Sequence, residues 1–193
     1  MPYLNVAHYN DCTEAEGPGK RFALWVQGCL KRCPGCCNPQ MLEVKPAKIY
    51  DCEEVFEMIQ KAKREEEIEG VTFLGGEPFL QANGLSFLSR RCKEIGITVM
   101  VFSGYTVKEL KKIQLPFSSE FLAEIDILVD GPFIEELYDE DRNWVGSTNQ
   151  EFHYLTEQYR EGIEYEDSTN KLELNIDQGN NLIHINGWPF TIE

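Results

Sequence analysis

Three cysteines lie close together near the start of the chain, directly after a short apolar run at residues 22–26. Cys29, Cys33 and Cys36 follow that run with the spacing C-x3-C-x2-C. This spacing can place three thiolates around one face of an iron-sulfur cube and leave the fourth iron without a protein ligand. An iron with an open coordination position can take part in chemistry.

The same thiols are compatible with other kinds of site. Cysteine thiolates also hold zinc, and Cys37 or Cys12 would complete a tetrahedral site, but structural zinc sites usually combine paired C-x2-C units and the sequence has no second pair. A disulfide-bonded loop is disfavoured in a chain without export signals. The cysteines by themselves leave iron-sulfur, zinc and unligated thiols open.

Length and charge limit the classes of partner. A chain of 193 residues with 42% hydrophobic content is long enough for one well-buried core, so we expect one main domain. Its formal net charge of -15 would repel a polyphosphate backbone, and we therefore expect no nucleic acid partner. We find neither a signal-peptide pattern nor an apolar run of about 20 residues, which predicts a cytoplasmic protein without membrane contact.

Strand-like and helix-like segments alternate through the first two thirds of the chain. Apolar strand patterns occur at residues 22–26, 71–74, 98–102 and 125–129, and Asp51 with Glu54 marks the start of an amphipathic helix. This alternation predicts an α/β fold with a parallel sheet and right-handed crossovers.

Each predicted strand leads into a loop with chemically distinctive residues, and loops after parallel strands emerge at the same edge of a sheet. Glycine-rich turns often do no more than reverse the chain, but four such loops in succession predict one shared site. They are the cysteine loop, Gly75-Gly76-Glu77-Pro78, Ser103-Gly104-Tyr105-Thr106 and Asp130-Gly131-Pro132-Phe133.

The last part of the chain has a different character. Residues 157–170 are polar and are predicted to form a flexible connector. Residues 171–176 and 182–186 alternate between apolar and polar around a turn that contains glycine and asparagine, which predicts a terminal β-hairpin. His8, His153 and His184 are scattered without metal-ligand spacing, and we expect them to be surface or packed residues.

In their order, these motifs resemble the radical S-adenosylmethionine superfamily and, within it, the small activating proteins of anaerobic, glycyl-radical ribonucleotide reductase. The resemblance covers residues 17–150 and departs from the pattern at Gly35, where many radical enzymes have an aromatic residue, and near Trp144, where an arginine is common. Besides the loops named above, it includes Gly17-Pro18-Gly19, Asn38 and Gly146-Ser147-Thr148-Asn149-Gln150.

The resemblance implies a fold and two cofactors. The fold would be an incomplete (β/α) barrel of the radical S-adenosylmethionine type at residues 1–156, followed by a linker and C-terminal β-hairpin extension at 157–193. Cys29, Cys33 and Cys36 would hold one 4Fe-4S cluster, and S-adenosylmethionine would chelate its open iron. The residues implied to contact the cofactor are Gly35, Cys36, Cys37, Gly75, Gly76, Glu77, Ser103 and Asp130.

The resemblance also implies a reaction and its partners. The enzyme would cleave S-adenosylmethionine reductively to a 5′-deoxyadenosyl radical and install a glycyl radical on a partner such as anaerobic ribonucleotide reductase. A reducing donor such as flavodoxin or ferredoxin would supply the electron, and the cofactor rather than a catalytic side chain would carry the difficult step. The alternatives are radical modification of another peptide or small molecule, and a non-catalytic iron-sulfur or zinc interaction module.

Overall fold

A computed structural model describes residues 2–166, 172–177 and 182–187. The strands are β1 (Tyr3–Thr13), β2 (Arg21–Val26), β3 (Lys48–Asp51), β4 (Gly70–Gly75), β5 (Thr98–Ser103), β6 (Ile127–Asp130), β7 (Glu151–Tyr154), β8 (Leu172–Asp177) and β9 (Leu182–Gly187). The helices are α1 (Cys52–Glu65), α2 (Ala82–Glu94), α3 (Val107–Ile113) and α4 (Ser118–Leu122).

Seven strands form one open mixed sheet in the order β3-β1-β2-β4-β5-β6-β7. The four central strands β2, β4, β5 and β6 are parallel to one another, whereas β1, β3 and β7 pair antiparallel with their neighbours. The predicted α/β alternation and the parallel pairing of the four strands are confirmed. Because β3 and β7 are edges, the sheet does not close on itself in the part of the chain that is described.

The central strands are buried on both faces, as their continuous apolar runs predict. Every residue of β2 and of β6 is buried. One face packs against the helices and contains the larger core, in which Phe22, Val71 and Val99 lie beside the apolar residues of α1 and α2. The opposite face carries a smaller cluster around Met100 and Val129.

Helix α1 begins where its sequence signal predicted. The Asp51 carboxylate accepts a hydrogen bond from the Glu53 N–H at 2.9 Å, and Glu54 accepts one from the Asp51 N–H at 2.8 Å. These bonds satisfy N–H groups that have no partner within the helix. The helix buries Val55, Phe56, Ile59 and Ala62 towards the sheet, in agreement with the predicted amphipathic face.

The antiparallel strands β1, β3 and β7 were not predicted from the sequence. Each interleaves polar with apolar residues, and in the eleven-residue β1 only Leu4, Val6 and Thr13 are buried. Such a pattern is typical of an antiparallel strand, one face of which remains partly in solvent.

The chain after β7 remains attached to the sheet through Tyr159. Its hydroxyl lies 2.9 Å from a nitrogen of the buried Arg21 guanidinium and 2.6 Å from the Thr98 hydroxyl. Arg21 also donates to the Thr72 hydroxyl and to the Val71 carbonyl, each at 2.7 Å. These contacts place residue 159 over the amino ends of the parallel strands, opposite to the cysteine loop. The division of the chain at residue 156 stays a prediction.

Strands β8 and β9 pair antiparallel, with Leu172 opposite Gly187. The turn predicted between them lies outside the described residues, so the terminal hairpin as a whole stays a prediction. The pair contacts the loop before β2, because the Gly187 N–H donates to Glu16 at 3.1 Å and Glu173 accepts from the Glu14 N–H at 2.8 Å. Among the described helices, none combines the length and apolarity needed to cross a membrane.

Candidate functional site

The cysteine loop leaves the carboxyl end of β2 and is held at its base by backbone hydrogen bonds. The Gly28 N–H donates to the Met41 carbonyl at 2.8 Å, and the Cys29 N–H donates to the Leu42 carbonyl at 3.1 Å. Cys29 is therefore buried at the base of the loop, whereas Cys33 and Cys36 are partly exposed further out. The loop therefore runs from a buried thiol at the rim of the sheet to two partly exposed thiols.

The three cysteines of the loop lie close enough to influence one another, because the sulfurs of Cys36 and Cys29 both raise the pKa of Cys33. The one group of three possible ligands gathered within 4.8 Å in the described residues contains no cysteine. A cube binds each thiolate at a different iron, and the three thiols of this loop fit such a cluster.

The thiols differ in acidity. A hydrogen bond from the Cys37 thiol lowers the pKa of Cys36 to about 6, and the same contact raises the pKa of Cys37. Burial raises the pKa of Cys33, and the nearby sulfurs of Cys36 and Cys29 add to that effect. Because the thiolate is the form that binds metals, Cys36 is ready to ligate at neutral pH and Cys33 would lose its proton on metal binding.

The loop after β4 packs directly on the start of the cysteine loop. The Gly76 N–H donates to the Val26 carbonyl at 2.7 Å, and the Glu77 N–H donates to the Gly28 carbonyl at 2.8 Å. A Cβ on Gly76 would lie 2.3 Å from the Gly28 oxygen, and one on Gly75 would lie 2.7 Å from the Trp25 Cα. Both glycines are therefore required by the close approach of two backbones, independently of any ligand.

Glu77 is fully buried beneath these loops, and its carboxylate joins two of them. It accepts hydrogen bonds from the Ser103 hydroxyl at 2.9 Å, from the Gly104 N–H at 2.9 Å and from the Phe79 N–H at 3.0 Å. Burial raises the pKa of Glu77 to about 7, although these donors oppose the shift. The structure thus brings the predicted residues Glu77 and Ser103 into direct contact.

Lys31 links the cysteine loop to helix α3, and sequence reasoning missed it. Its ammonium lies 2.9 Å from both carboxylate oxygens of Glu109 and 4.6 Å from the centre of the Tyr105 ring. Glu109 also completes the capping box with Thr106 at the start of α3. Lys31 and Glu109 are separated by 78 residues, so no local pattern in the sequence connects them.

Gly35 faces the loop after β6. It has a positive φ of 71°, and a Cβ there would lie 3.2 Å from Phe133 and 3.0 Å from Glu135. The departure from the family pattern at this position has a physical explanation, because Phe133 occupies the space beside Gly35. All three later loops therefore contact the cysteine loop, which confirms the prediction that they share one edge of the sheet.

Asp130 is directed differently from the other predicted residues. One carboxylate oxygen accepts from the Val107 N–H at 2.5 Å at the start of α3, and the other lies 3.1 Å from His153 Nε2. Its neighbours are thus α3 and β7 rather than Glu77. The prediction that Asp130 contacts a cofactor stays untested.

The loop before β7 is held by Gln150 and Arg142. The Gln150 side chain accepts from the Gly146 N–H at 3.0 Å and donates to the Gly131 carbonyl at 3.0 Å. Arg142 donates to the Gln150 carbonyl at 2.9 Å and pairs with Asp139 at 2.7 Å. The arginine beside this motif therefore stabilises the loop that follows β6.

Comparison with known proteins identifies the family to which the chain belongs. The family described as "4Fe-4S single cluster domain" matches residues 15–153. The anaerobic ribonucleoside-triphosphate reductase-activating protein of Escherichia coli K12 is 30% identical over 161 residues, covering 79% of this chain and 99% of the relative. The chain belongs to the family of anaerobic ribonucleoside-triphosphate reductase-activating proteins.

Other anaerobic ribonucleoside-triphosphate reductase-activating proteins show the same extent of similarity. The one from Vibrio cholerae is 31% identical over 79% of this chain and 99% of the relative. The one from Enterobacteria phage T4 is 28% identical over 76% of this chain and 92% of the relative. Membership of this activating-protein family supports an iron-sulfur cofactor, and the recognition made from the loop motifs is confirmed.

The ionisation of Glu77 gives the protein a pH dependence that can be measured. The folded pKa of about 7 lies above the ordinary value of 4.5, so between these values the folded state holds a proton that the unfolded state has released. The free energy of unfolding should therefore fall as the pH rises through this window, by up to roughly 3 kcal/mol from Glu77. Glu16, whose pKa burial also raises to about 7, acts in the same direction.

Urea unfolding at about pH 5 and about pH 7.5 measures this effect. The Glu77→Gln variant should lose about half of the pH-dependent decrease, because Glu16 still contributes the rest. Glu57→Gln, at an exposed position on α1, should retain the wild-type decrease. An unchanged pH dependence in Glu77→Gln would contradict the assignment.

Proposed function

We propose that this protein is a radical S-adenosylmethionine enzyme that installs a glycyl radical on an anaerobic ribonucleoside-triphosphate reductase. The observation that carries the proposal is the contact of the cysteine loop with three successive strand-end loops, in a chain of the activating-protein family. We propose in addition that the open sheet is the incomplete barrel typical of this superfamily.

The cofactors would be one 4Fe-4S cluster and S-adenosylmethionine. Cys29, Cys33 and Cys36 would hold the cluster and leave one iron to the cofactor. When bound, this pair supplies a one-electron reductive cleavage that yields methionine and a 5′-deoxyadenosyl radical. Cys37 cannot contribute as easily as Cys36, because its thiol serves as the hydrogen-bond donor that lowers the pKa of Cys36.

The residues around the cluster would bind and orient the methionyl group. Gly75 and Gly76 bring unhindered backbone next to the cysteine loop, and Glu77 offers a buried carboxylate to an ammonium group. Approach of that ammonium would lower the pKa of Glu77 and favour its charged form. Ser103 would position this carboxylate through its hydroxyl, and backbone at Gly35, Cys36 and Cys37 would lie along the cofactor.

The partner and the electron donor are part of the proposal. The relatives are named for activating anaerobic ribonucleoside-triphosphate reductase, and by analogy this chain would act on a glycine of such a reductase. A reduced flavodoxin or ferredoxin would supply the electron. A cytoplasmic location remains the expectation from the sequence.

The proposal is tested with anaerobically reconstituted protein, dithionite, S-adenosylmethionine and the large subunit of the reductase from the same organism. We expect 5′-deoxyadenosine by chromatography and a glycyl-radical signal by electron paramagnetic resonance, in about equal amounts. Absence of 5′-deoxyadenosine would overturn the radical chemistry. Formation of 5′-deoxyadenosine without a glycyl radical would overturn the assignment of the partner.

A further inference from the structure

A second group of potential metal ligands lies where β6 and β7 meet, and it contains no cysteine. Ligand atoms of Asp130, Glu151 and His153 lie within 4.8 Å of one another. His153 Nε2 is 3.1 Å from Asp130 Oδ1 and 3.6 Å from Glu151 Oε2. The sequence did not predict His153 to be a ligand. The pairing of β6 with β7 brings it close to Asp130, and no local sequence motif indicates this contact.

Strand geometry places these side chains on one face. Asp130 and Glu151 are paired across β6 and β7, and His153 lies two residues after Glu151 on the same strand. Residues two apart on a strand point to the same side of the sheet, and the antiparallel partner opposite them does likewise. The arrangement is therefore fixed by the sheet and does not depend on a flexible loop.

The buried carboxylate of this group has an unpartnered atom. Asp130 is only 2% exposed, and its Oδ1 makes no hydrogen bond within the described residues. His153 Nε2 likewise lacks a hydrogen bond of acceptable geometry there, although Oδ1 is so close. A buried polar atom without a partner is destabilising, so both atoms favour a ligand between them.

A bridging cation would account for two buried atoms that lie 3.1 Å apart without a hydrogen bond between them. An ion bound at about 2.1 Å from both atoms would stand to one side of the line that joins them, with an angle of about 95° at the metal. The Nε2 lone pair would then point to the ion and pass beside the oxygen. An ion pair without a cation would instead align the N–H with Oδ1.

The remaining contacts define how such an ion would be held. Asp130 Oδ2 is occupied by the Val107 N–H at 2.5 Å, which fixes the carboxylate and leaves Oδ1 as a single ligand. The Glu151 side chain is 76% exposed and leaves one side open to solvent. An ion could enter from that side and would keep water in its other positions.

We propose that Asp130, Glu151 and His153 bind one divalent first-row transition-metal ion. One imidazole with two carboxylates suits Mn²⁺, Fe²⁺ or Zn²⁺, whereas Mg²⁺ prefers oxygen ligands alone. The ion would join β6, β7 and the start of α3. It would thereby stabilise the strand end from which the loop carrying Phe133 reaches the cysteine loop.

Manganese is the most selective probe, because it binds carboxylates in preference to the thiolates of the cysteine loop. The full chain with its reconstituted cluster is dialysed against MnCl₂, and bound manganese is measured by mass spectrometry. We expect one Mn²⁺ for each wild-type chain. His153→Gln should weaken binding by about 100-fold and Glu151→Gln by about tenfold, and His8→Gln should leave it unchanged.

Because Glu151 is exposed, its replacement tests metal binding without disturbing the fold. The hydrogen bond from the Val107 N–H of α3 to Asp130 should remain. Added Mn²⁺ should raise the melting temperature of the wild type and of His8→Gln but not that of His153→Gln. Equal Mn²⁺ binding by the wild type, Glu151→Gln and His153→Gln would overturn the proposal, as would no binding at about 1 mM Mn²⁺.

Discussion

The Cys33→Ala variant is expected to lose the iron-sulfur cluster and to form 5′-deoxyadenosine at least about 100-fold more slowly than the wild type. Cys33 lies between the buried Cys29 and the acidic Cys36 in the cysteine loop. Without it, a cube would have two irons lacking a protein ligand rather than one. Iron and sulfide contents after anaerobic reconstitution measure the first effect, and product chromatography measures the second.

Cys12→Ala is the matched control for this prediction. Cys12 is also partly buried but lies on β1, outside the cysteine loop. It should retain iron, sulfide and product formation at wild-type levels. Retention of a full cluster and of activity by Cys33→Ala would show that another side chain takes this position and that the assigned ligand set is wrong.

The Gly76→Ala variant should bind S-adenosylmethionine at least about tenfold more weakly, with a matching loss of product. The new Cβ would lie 2.3 Å from the Gly28 carbonyl oxygen, so the backbones of the two loops must separate. The hydrogen bond from the Glu77 N–H to that carbonyl, now 2.8 Å long, would be lost. Equilibrium dialysis with radiolabelled S-adenosylmethionine provides the measurement.

Gly96→Ala controls for general backbone strain. Gly96 has a φ of +73° but has no atom near the position of a Cβ, so alanine there should lower stability by about 1 kcal/mol and leave binding intact. If Gly76→Ala binds S-adenosylmethionine as tightly as Gly96→Ala does, the contact between these loops does not shape the cofactor site.

The sequence predicted the centre of the sheet because its strands are buried on both faces. Continuous apolar runs such as that of β2 have few alternatives to a central strand, and the loops that follow must then lie at one edge. The antiparallel strand β1 could not be recognised in the same way, since its side chains alternate between core and solvent without a long apolar run.

Contacts between segments that are distant in the chain could not be predicted from the sequence. The pairing of Lys31 with Glu109 and that of Asp130 with His153 depend on strand order, which no local pattern reveals. Gly76 is a further example. The resemblance implied that it contacts the cofactor, which stays a prediction, but it did not reveal that a Cβ there would meet the Gly28 carbonyl.

The central claim is that three thiolates leave one iron open to the methionyl group of S-adenosylmethionine. Electron-nuclear double resonance on the dithionite-reduced protein, with the cofactor labelled with ¹⁵N at its amino group, measures this coordination most directly. The account predicts a ¹⁵N hyperfine coupling to the cluster and a changed spectrum when the cofactor is added. A cluster whose spectrum is unchanged and shows no ¹⁵N coupling would contradict it.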